Sequence, residues 1–250
     1  MLARQTNFYV GTSGWSYRHW AGRFYPEELK SYQYFDYYCQ HFNAVELNSS
    51  FYHLPREVTV RNWLQKSPVD FRFCVKLSRF ITHQKKLLEF HEPTKRFFDI
   101  FQPLQPKMGP VLIQLPPSLV FEEDRLREFL EYLHQHHPDY QFAIEARHKS
   151  WDSREVAHFL QQFDVALVFA DSGGRFPTFD YPVTSFVYFR FHGPGRLYAS
   201  DYETEQLQGY AQKIRHLLEQ GKKVWAFFNN DVGGYAVENA RTLRHLVLEG

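Results

Sequence analysis

Four short apolar stretches of this chain end in polar pairs spaced two residues apart: Glu46 and Asn48, Cys74 and Lys76, Glu145 and Arg147, Arg190 and His192. In a β-strand, residues two apart share a face. Each pair therefore looks one way, while Val45 and Leu47, Phe73 and Val75, Ile144 and Ala146, and Phe189 and Phe191 look the other. Gln114, Asp171, Asn229 and Asn230 fall at the ends of similar runs. Two carboxylates flanking a cleft suit acid/base chemistry, and Glu46 and Glu145 are the candidates. Lys76 is placed to stabilise developing negative charge. Arg147, Arg190 and His192 suit anionic parts of a substrate. Asn48, Gln114, Asp171, Asn229 and Asn230 suit its orientation. His83, Trp15 and Tyr52 lie in loops following such runs and complete the expected site. Trp15, Tyr17, Tyr52 and Trp151 could wall it.

Other chemistries compete for the same residues. Glu46, Glu145, Asp171 and His192 are hard or borderline ligands for a divalent metal. Lys76, Arg147 and Arg190 would oppose a cation there, so no cofactor is expected and the metal is the alternative. Asn229, Asn230 and Asp231 precede Gly233 and Gly234, a loop able to hold phosphate at a helix start or simply to cap that helix. The structural alternative is an ion-pair plug, for example Glu145 with Arg190 or Lys76. Lone ionised groups cannot stay unpaired in an apolar setting.

The polar pairs need strands to carry them. Strand candidates are Phe8–Thr12, Ala44–Asn48, Phe71–Lys76, Val111–Leu115, Phe142–Ala146, Ala166–Ala170, Phe186–Phe191 and Val224–Phe228. Helical stripes lie between them: Leu126, Phe129, Leu130 and Leu133; Val156, Phe159, Leu160 and Phe163; Leu207, Ala211, Ile214 and Leu218; Val237, Ala240, Leu243 and Val247. The run Phe97, Phe98, Phe101 and Leu104 fits less cleanly, and Ser153 is placed to cap its helix. Eight strands alternating with helices in 250 residues predict an α/β fold, a single (β/α)₈ TIM barrel spanning residues 1–250, with an open α/β sheet as the alternative. The outward face of such a barrel meets apolar helices. The polar pairs then point to the axis at the C-terminal mouth, where barrel enzymes place their sites.

Composition narrows the partners. The formal net charge is +1 and no Lys/Arg block stands out, so nucleic-acid binding lacks a general electrostatic signature, although a local basic pocket stays open. No apolar run approaches the ~20 residues needed to cross a bilayer. The first eight residues lack the apolar core of a signal peptide. Cys39 and Cys74 form no metal-binding spacing. The reading is a cytoplasmic protein with two reduced thiols and a small polar or anionic ligand. The 18% aromatic content reads first as a Phe-rich core.

The strand-end segments also resemble the YecE-like family, barrel proteins classed as a domain of unknown function. The matching segments are Gly11-Thr12-Ser13-Gly14-Trp15-Ser16-Tyr17, Val45-Glu46-Leu47-Asn48 with Ser50-Phe51-Tyr52, Lys76 with Thr82-His83, and Gln114-Leu115-Pro116-Pro117. They continue with Glu145-Ala146-Arg147-His148, Ser150-Trp151, Asp171-Ser172, Arg190-Phe191-His192-Gly193, Phe228-Asn229-Asn230-Asp231 and Asn239-Ala240. The resemblance implies a (β/α)₈ barrel and supplies no reaction. The leading expectation is an acid/base enzyme for a small polar or phosphate-bearing substrate. The alternatives are a metal-dependent phosphoesterase or endonuclease-like enzyme, and a barrel that only binds nucleic acid or protein.

Overall fold

Short β-branched and aromatic runs alternate with amphipathic helices because each strand buries both faces and each helix buries one stripe. The computed structural model describes residues 7–250. Along the chain, the strands are β1 (Phe8–Thr12), β2 (Ala44–Leu47), β3 (Arg72–Val75), β4 (Val111–Gln114), β5 (Phe142–Glu145), β6 (Ala166–Leu167), β7 (Phe169–Asp171), β8 (Phe186–Phe191) and β9 (Lys223–Phe228). The α-helices are α1 (Tyr34–His41), α2 (Ser49–Tyr52), α3 (Glu57–Lys66), α4 (His91–Phe101), α5 (Glu123–His136), α6 (Arg154–Gln161), α7 (Thr204–Glu219) and α8 (Tyr235–Leu248). The chain is an α/β protein in which parallel strands alternate with helices.

Two compact units make up the described residues. The first comprises 7–46, Phe169–Thr178 and Ser185–Gly250; the second comprises Leu47–Val168 and Phe179–Thr184. The first holds a parallel sheet in the order β1-β9-β8-β7, with Gly11 beside Phe227, Arg190 beside Phe227 on the other edge, and Asp171 beside Phe191. The expected stripes of α7 and α8 are its buried faces: Leu207, Ala211, Ile214 and Leu218, then Val237, Ala240, Leu243 and Val247. The second unit holds the parallel sheet β4-β5-β6, with Gln114 beside Glu145. Lys76, just past β3, bridges to Leu112 of β4.

The strand running through 166–170 is broken at Val168. Its N–H still follows β5, donating to Ile144 O at 2.9 Å, whereas Phe169 begins the pairing with β8. Two helices were not read from the sequence. In α3 only Val60 is buried, while α1 buries Tyr34, Phe35 and Tyr38 at i, i+1 and i+4, a stripe its other tyrosines hide. The run before Pro106 splits into α4 and a 3₁₀ stretch, Gln102–Lys107, because two prolines remove donors. Ser153 Oγ accepts from Val156 N at 3.2 Å, the expected cap. Most of the 25 phenylalanines are buried, so the aromatic content is chiefly core. Trp151, a proposed wall, belongs to that core at 2% exposure, with its indole N–H donating to Leu119 O. Cys39 and Cys74 are free thiols. Among the described residues, no helix is long and apolar enough to cross a membrane.

One close approach holds the start of the first unit. Tyr38 of α1 reaches between β1 and β2, its hydroxyl accepting from Thr12 N at 2.8 Å and donating to Ala44 O at 3.1 Å. A Cβ on Gly11 would stand 2.0 Å from Ala44 O and 2.6 Å from the Tyr38 hydroxyl. Backbone cannot yield to that contact cheaply. Gly11→Ala should therefore lower stability by ~1–3 kcal/mol or more, the range for overpacking. Urea denaturation will measure it, and an unchanged midpoint would show that β1 and β2 can separate at no cost.

Candidate functional site

The expected site residues gather in two clusters, one in each unit. Parity along β8 builds the first. Phe189 and Phe191 stack with ring centroids 6.0 Å apart, and Phe191 packs on Tyr210 of α7. Tyr188 and Arg190 take the opposite face, where both meet Glu46 of β2. Glu46 and Arg190 have side-chain exposures of 0 and 1%. Glu46 Oε1 accepts from Arg190 Nη2 and from Ser13 Oγ, each at 2.6 Å. Glu46 Oε2 accepts from Arg190 Nε and the Tyr188 hydroxyl, each at 2.9 Å. This is a two-pronged guanidinium–carboxylate pair with hydroxyl donors on both oxygens, the arrangement that lets opposite charges be buried together. Ser13 and Tyr188 were not among the expected residues. Tyr188 was legible, since it lies two residues before Arg190 on the same strand.

His192 is fully buried next to this pair. Its Nε2 faces Arg190 Nη1 at 3.5 Å and its Nδ1 faces the Asn229 amide at 3.3 Å. A guanidinium can only donate, so Nε2 is the acceptor. Asn230 is buried in an amide chain, donating to Ser200 O at 2.9 Å and to Asn239 Oδ1 at 2.7 Å, while Asn239 donates to Asp201. Asp171, half-buried, accepts from the Tyr210 hydroxyl at 2.6 Å and from Gly173 N at 3.1 Å. Burial first, and Asp171 second, push the Tyr202 and Tyr210 hydroxyls far up, so both stay protonated donors. Trp15 is half-buried against Phe35, and its carbonyl accepts from Tyr25. Asp231 follows β9 and pairs with His19, a residue no spacing singled out.

The second cluster sits at the C-terminal ends of β3, β4 and β5. Lys76 Nζ donates to Gln114 Oε1 at 2.5 Å and lies 3.9 Å from the centre of the Phe51 ring. Arg147 donates through Nε and Nη2 to Glu145 Oε1, both at 2.9 Å. Ser50 Oγ donates to the Lys76 carbonyl and holds the α2 turn against β3. Asn48 Oδ1 is buried without a hydrogen-bond partner. Tyr52 is 62% exposed, with the Arg79 guanidinium 6.0 Å from its ring centre. His83, in the π turn Phe80–Gln84, is pushed down to about 4 by burial first, then by Lys76, Arg147 and Arg79, with Glu145 opposing. It is neutral at pH 7. Lys76, Arg147, Arg79 and Glu145 are the charged groups that act on its ring.

The pairs formed are thus Glu46 with Arg190 and Glu145 with Arg147. Of the four metal-ligand candidates, Glu46, Asp171 and His192 belong to the first unit and Glu145 to the second. No group of three or more His, Cys, Asp or Glu suited to a metal occurs among the described residues.

Removing one partner of the buried pair strands the other. Arg190→Met should cost ~3–5 kcal/mol in urea denaturation. Glu46→Gln combined with Arg190→Met should cost less than the sum of the two single changes, because the stranded charge is gone. Strict additivity would deny the coupling. His83 predicts a pH effect. The unfolded ring takes a proton near its ordinary 6.5, but the folded ring only near 4. Between those values the unfolded state binds more protons, so stability falls as the pH is lowered from about 6.5 through about 4. His83→Gln should make that fall shallower; His137, lowered in the same way, leaves a residual slope. An equally steep decline in the variant would remove His83 as a contributor.

Comparison with known proteins fits this geometry into a family. A profile described as "Protein of unknown function DUF72" matches residues 9–249. UPF0759 protein YecE of Escherichia coli (strain K12) is 30% identical over 169 residues, which cover 66% of this chain and 59% of YecE. The chain thus matches less than two thirds of that relative. UPF0759 protein YunF of Bacillus subtilis (strain 168) is 26% identical over 96% of this chain and 94% of YunF. A DUF72 family protein of Thermotoga maritima MSB8, known by crystal structure, is 33% identical with a TM-score of 0.82, covering 97% of this chain and 99% of its own. A DUF72 protein of Enterococcus faecalis V583, 22% identical with a TM-score of 0.80 over 96% of this chain and 95% of its own, shares the fold. The resemblance carried by the strand-end motifs holds across nearly the whole length: the chain is similar to the UPF0759 proteins YecE and YunF and belongs to the DUF72 family.

Proposed function

We propose that the chain is an enzyme acting by acid/base chemistry on a small, anionic, phosphate-bearing substrate bound at the basic cluster of the second unit. We also infer that the strands close into one (β/α)₈ barrel, with this cluster at its C-terminal mouth, the end that barrel enzymes use. The supporting observation is that Lys76, Arg147, Arg79 and Glu145 all act on the His83 ring at the ends of β3 and β5.

Each residue has a distinct role in this reading. Lys76 and Arg147 receive the phosphate, Arg147 as a planar fork and Lys76 as a point charge. Gln114 fixes the Lys76 ammonium. Asn48 Oδ1, a buried acceptor without a partner, suits a substrate hydroxyl. His83, neutral, adds a hydrogen-bonding group without changing the charge. Glu145 transfers the proton, its carboxylate held by Arg147. Glu46 is committed on both oxygens to Arg190, Ser13 and Tyr188, so its part is to fix Arg190 and the face of β8. Arg190, neutralised in this way, is a weaker anion receptor than Lys76 in this reading. His192, Asn229, Asn230, Asp171 and Trp15 line the first unit's cluster as candidates for further substrate contacts. The metal-dependent alternative has no gathered ligand set among the described residues to support it.

Calorimetric titration with inorganic phosphate and a panel of small phosphate monoesters tests the reading. Lys76→Met and Arg147→Met should each weaken binding roughly tenfold or more, as expected for loss of a charge-assisted hydrogen bond. Glu145→Gln should keep the affinity and lower turnover of any accepted ester by at least ~100-fold. Equal phosphate affinity in the wild type and both cation variants would overturn the assignment.

A further inference from the structure

Asp231 follows β9, and His19 lies in a 3₁₀ turn, Arg18–Trp20, that follows β1; both belong to the first unit. The Asp231 side chain is 13% exposed. Its Oδ1 accepts from the Trp20 indole N–H at 2.7 Å, and its Oδ2 stands 2.8 Å from His19 Nε2. The Asp231 main-chain oxygen is 3.0 Å from the same nitrogen. Nε2 thus faces two acceptors and must carry the ring proton. The lone pair then resides on Nδ1, in a side chain that is 46% exposed. Trp20, 1% exposed, is a rigid anchor for the carboxylate, and the Tyr17 ring packs 5.5 Å from the imidazole. Tyr17 is itself fixed by its hydroxyl donating to Ser13 O at 2.5 Å.

We propose that His19 and Asp231 form a hydrolytic acid/base dyad, with His19 Nδ1 as the group that takes a proton from water. The parts are those of any activated histidine: an accessible ring nitrogen, a buried carboxylate holding the other nitrogen, and a third group holding the carboxylate. This site stands apart from the phosphate reading of the second unit and does not depend on it. The reaction class is hydrolysis of an ester. A water oxygen bonds to the acyl carbon as its proton passes to Nδ1. The bond from that carbon to the alcohol oxygen then breaks, and the imidazolium returns the proton to the leaving alkoxide. Acid and alcohol result, and no oxidant or cofactor is consumed. The imidazolium formed on the way faces Asp231, whose carboxyl is pushed up by burial against the opposing bonds from Trp20 and His19. His19 is the catalytic residue in this scheme; Asp231 and Trp20 are positioning residues.

The probe is p-nitrophenyl acetate, hydrolysed by the full chain as wild type, His19→Gln and Asp231→Asn, with folding checked by near-ultraviolet circular dichroism. The wild type should show a component of the rate that His19→Gln removes. Asp231→Asn should reduce that component at least about tenfold. A long-range ¹H–¹⁵N correlation spectrum should show His19 as the Nε2–H tautomer in the wild type, a preference lost in Asp231→Asn. A purely structural strap would show the same tautomer and lose stability in these variants, but it would leave the rate unchanged. Equal rates for wild type and His19→Gln would overturn the proposal, as would an Nδ1–H tautomer in the wild type. The wild-type tautomer and the exposed His19 variant decide the matter even if Asp231→Asn fails to fold.

Discussion

A carboxylate and a guanidinium withdrawn from water must each find partners in the protein, or the fold carries the desolvation cost of both. Glu46 and Arg190 find theirs in each other and in the hydroxyls of Ser13 and Tyr188. The pair joins the strand ends of β1, β2 and β8 in the first unit. Everything nearby takes its position from that join. Arg190, fixed in orientation, sets the acceptor nitrogen of His192, and His192 in turn meets the amide of Asn229 after β9. The Ser13 carbonyl holds Tyr17, and Tyr17 packs on His19. A line of contacts, hydrogen bonds as far as Tyr17 and then ring against ring, therefore runs from a closed ionic centre to an imidazole at the surface.

The second unit handles the same residue types differently. Its acid meets two nitrogens of Arg147 on one oxygen, one ammonium lies against an aromatic face, and its histidine is held neutral first by burial and then by Lys76, Arg147 and Arg79. Partners rather than composition set the two clusters apart, since both draw on carboxylates, cations and a histidine at strand ends.

Much of this was legible because strands impose a two-residue period. The runs at β1 and β8 were read to the residue, and Lys76, Arg147 and His192 lie just past the ends of β3, β5 and β8. The same parity along β8 reaches Tyr188, which the reading passed over. Helices read well only where one face is apolar, as in α5 to α8; α3 buries a single side chain and gave no stripe. Pairing was not legible. Which acid meets which base depends on which strands are neighbours, and Arg190 with Glu46 is a contact across 144 residues. His19 escaped for a related reason. It sits in an irregular turn without period, and its partner Asp231 is 212 residues away.

That distance along the chain bears on how the protein is made. The sheet of the first unit begins with β1 and needs β9, Lys223–Phe228, as its direct neighbour. Its ionic centre needs Arg190 to reach Glu46. The second unit draws almost all its residues from the continuous stretch Leu47–Val168. During synthesis from the N-terminus, the second unit's sheet can therefore assemble while Phe8–Glu46 still waits for its partners. Contacts of such long sequence separation form late and slowly because the intervening loop must be closed first. The acid of the buried pair thus stays hydrated until Arg190 has been made, and the first unit can lock only once β9 has followed.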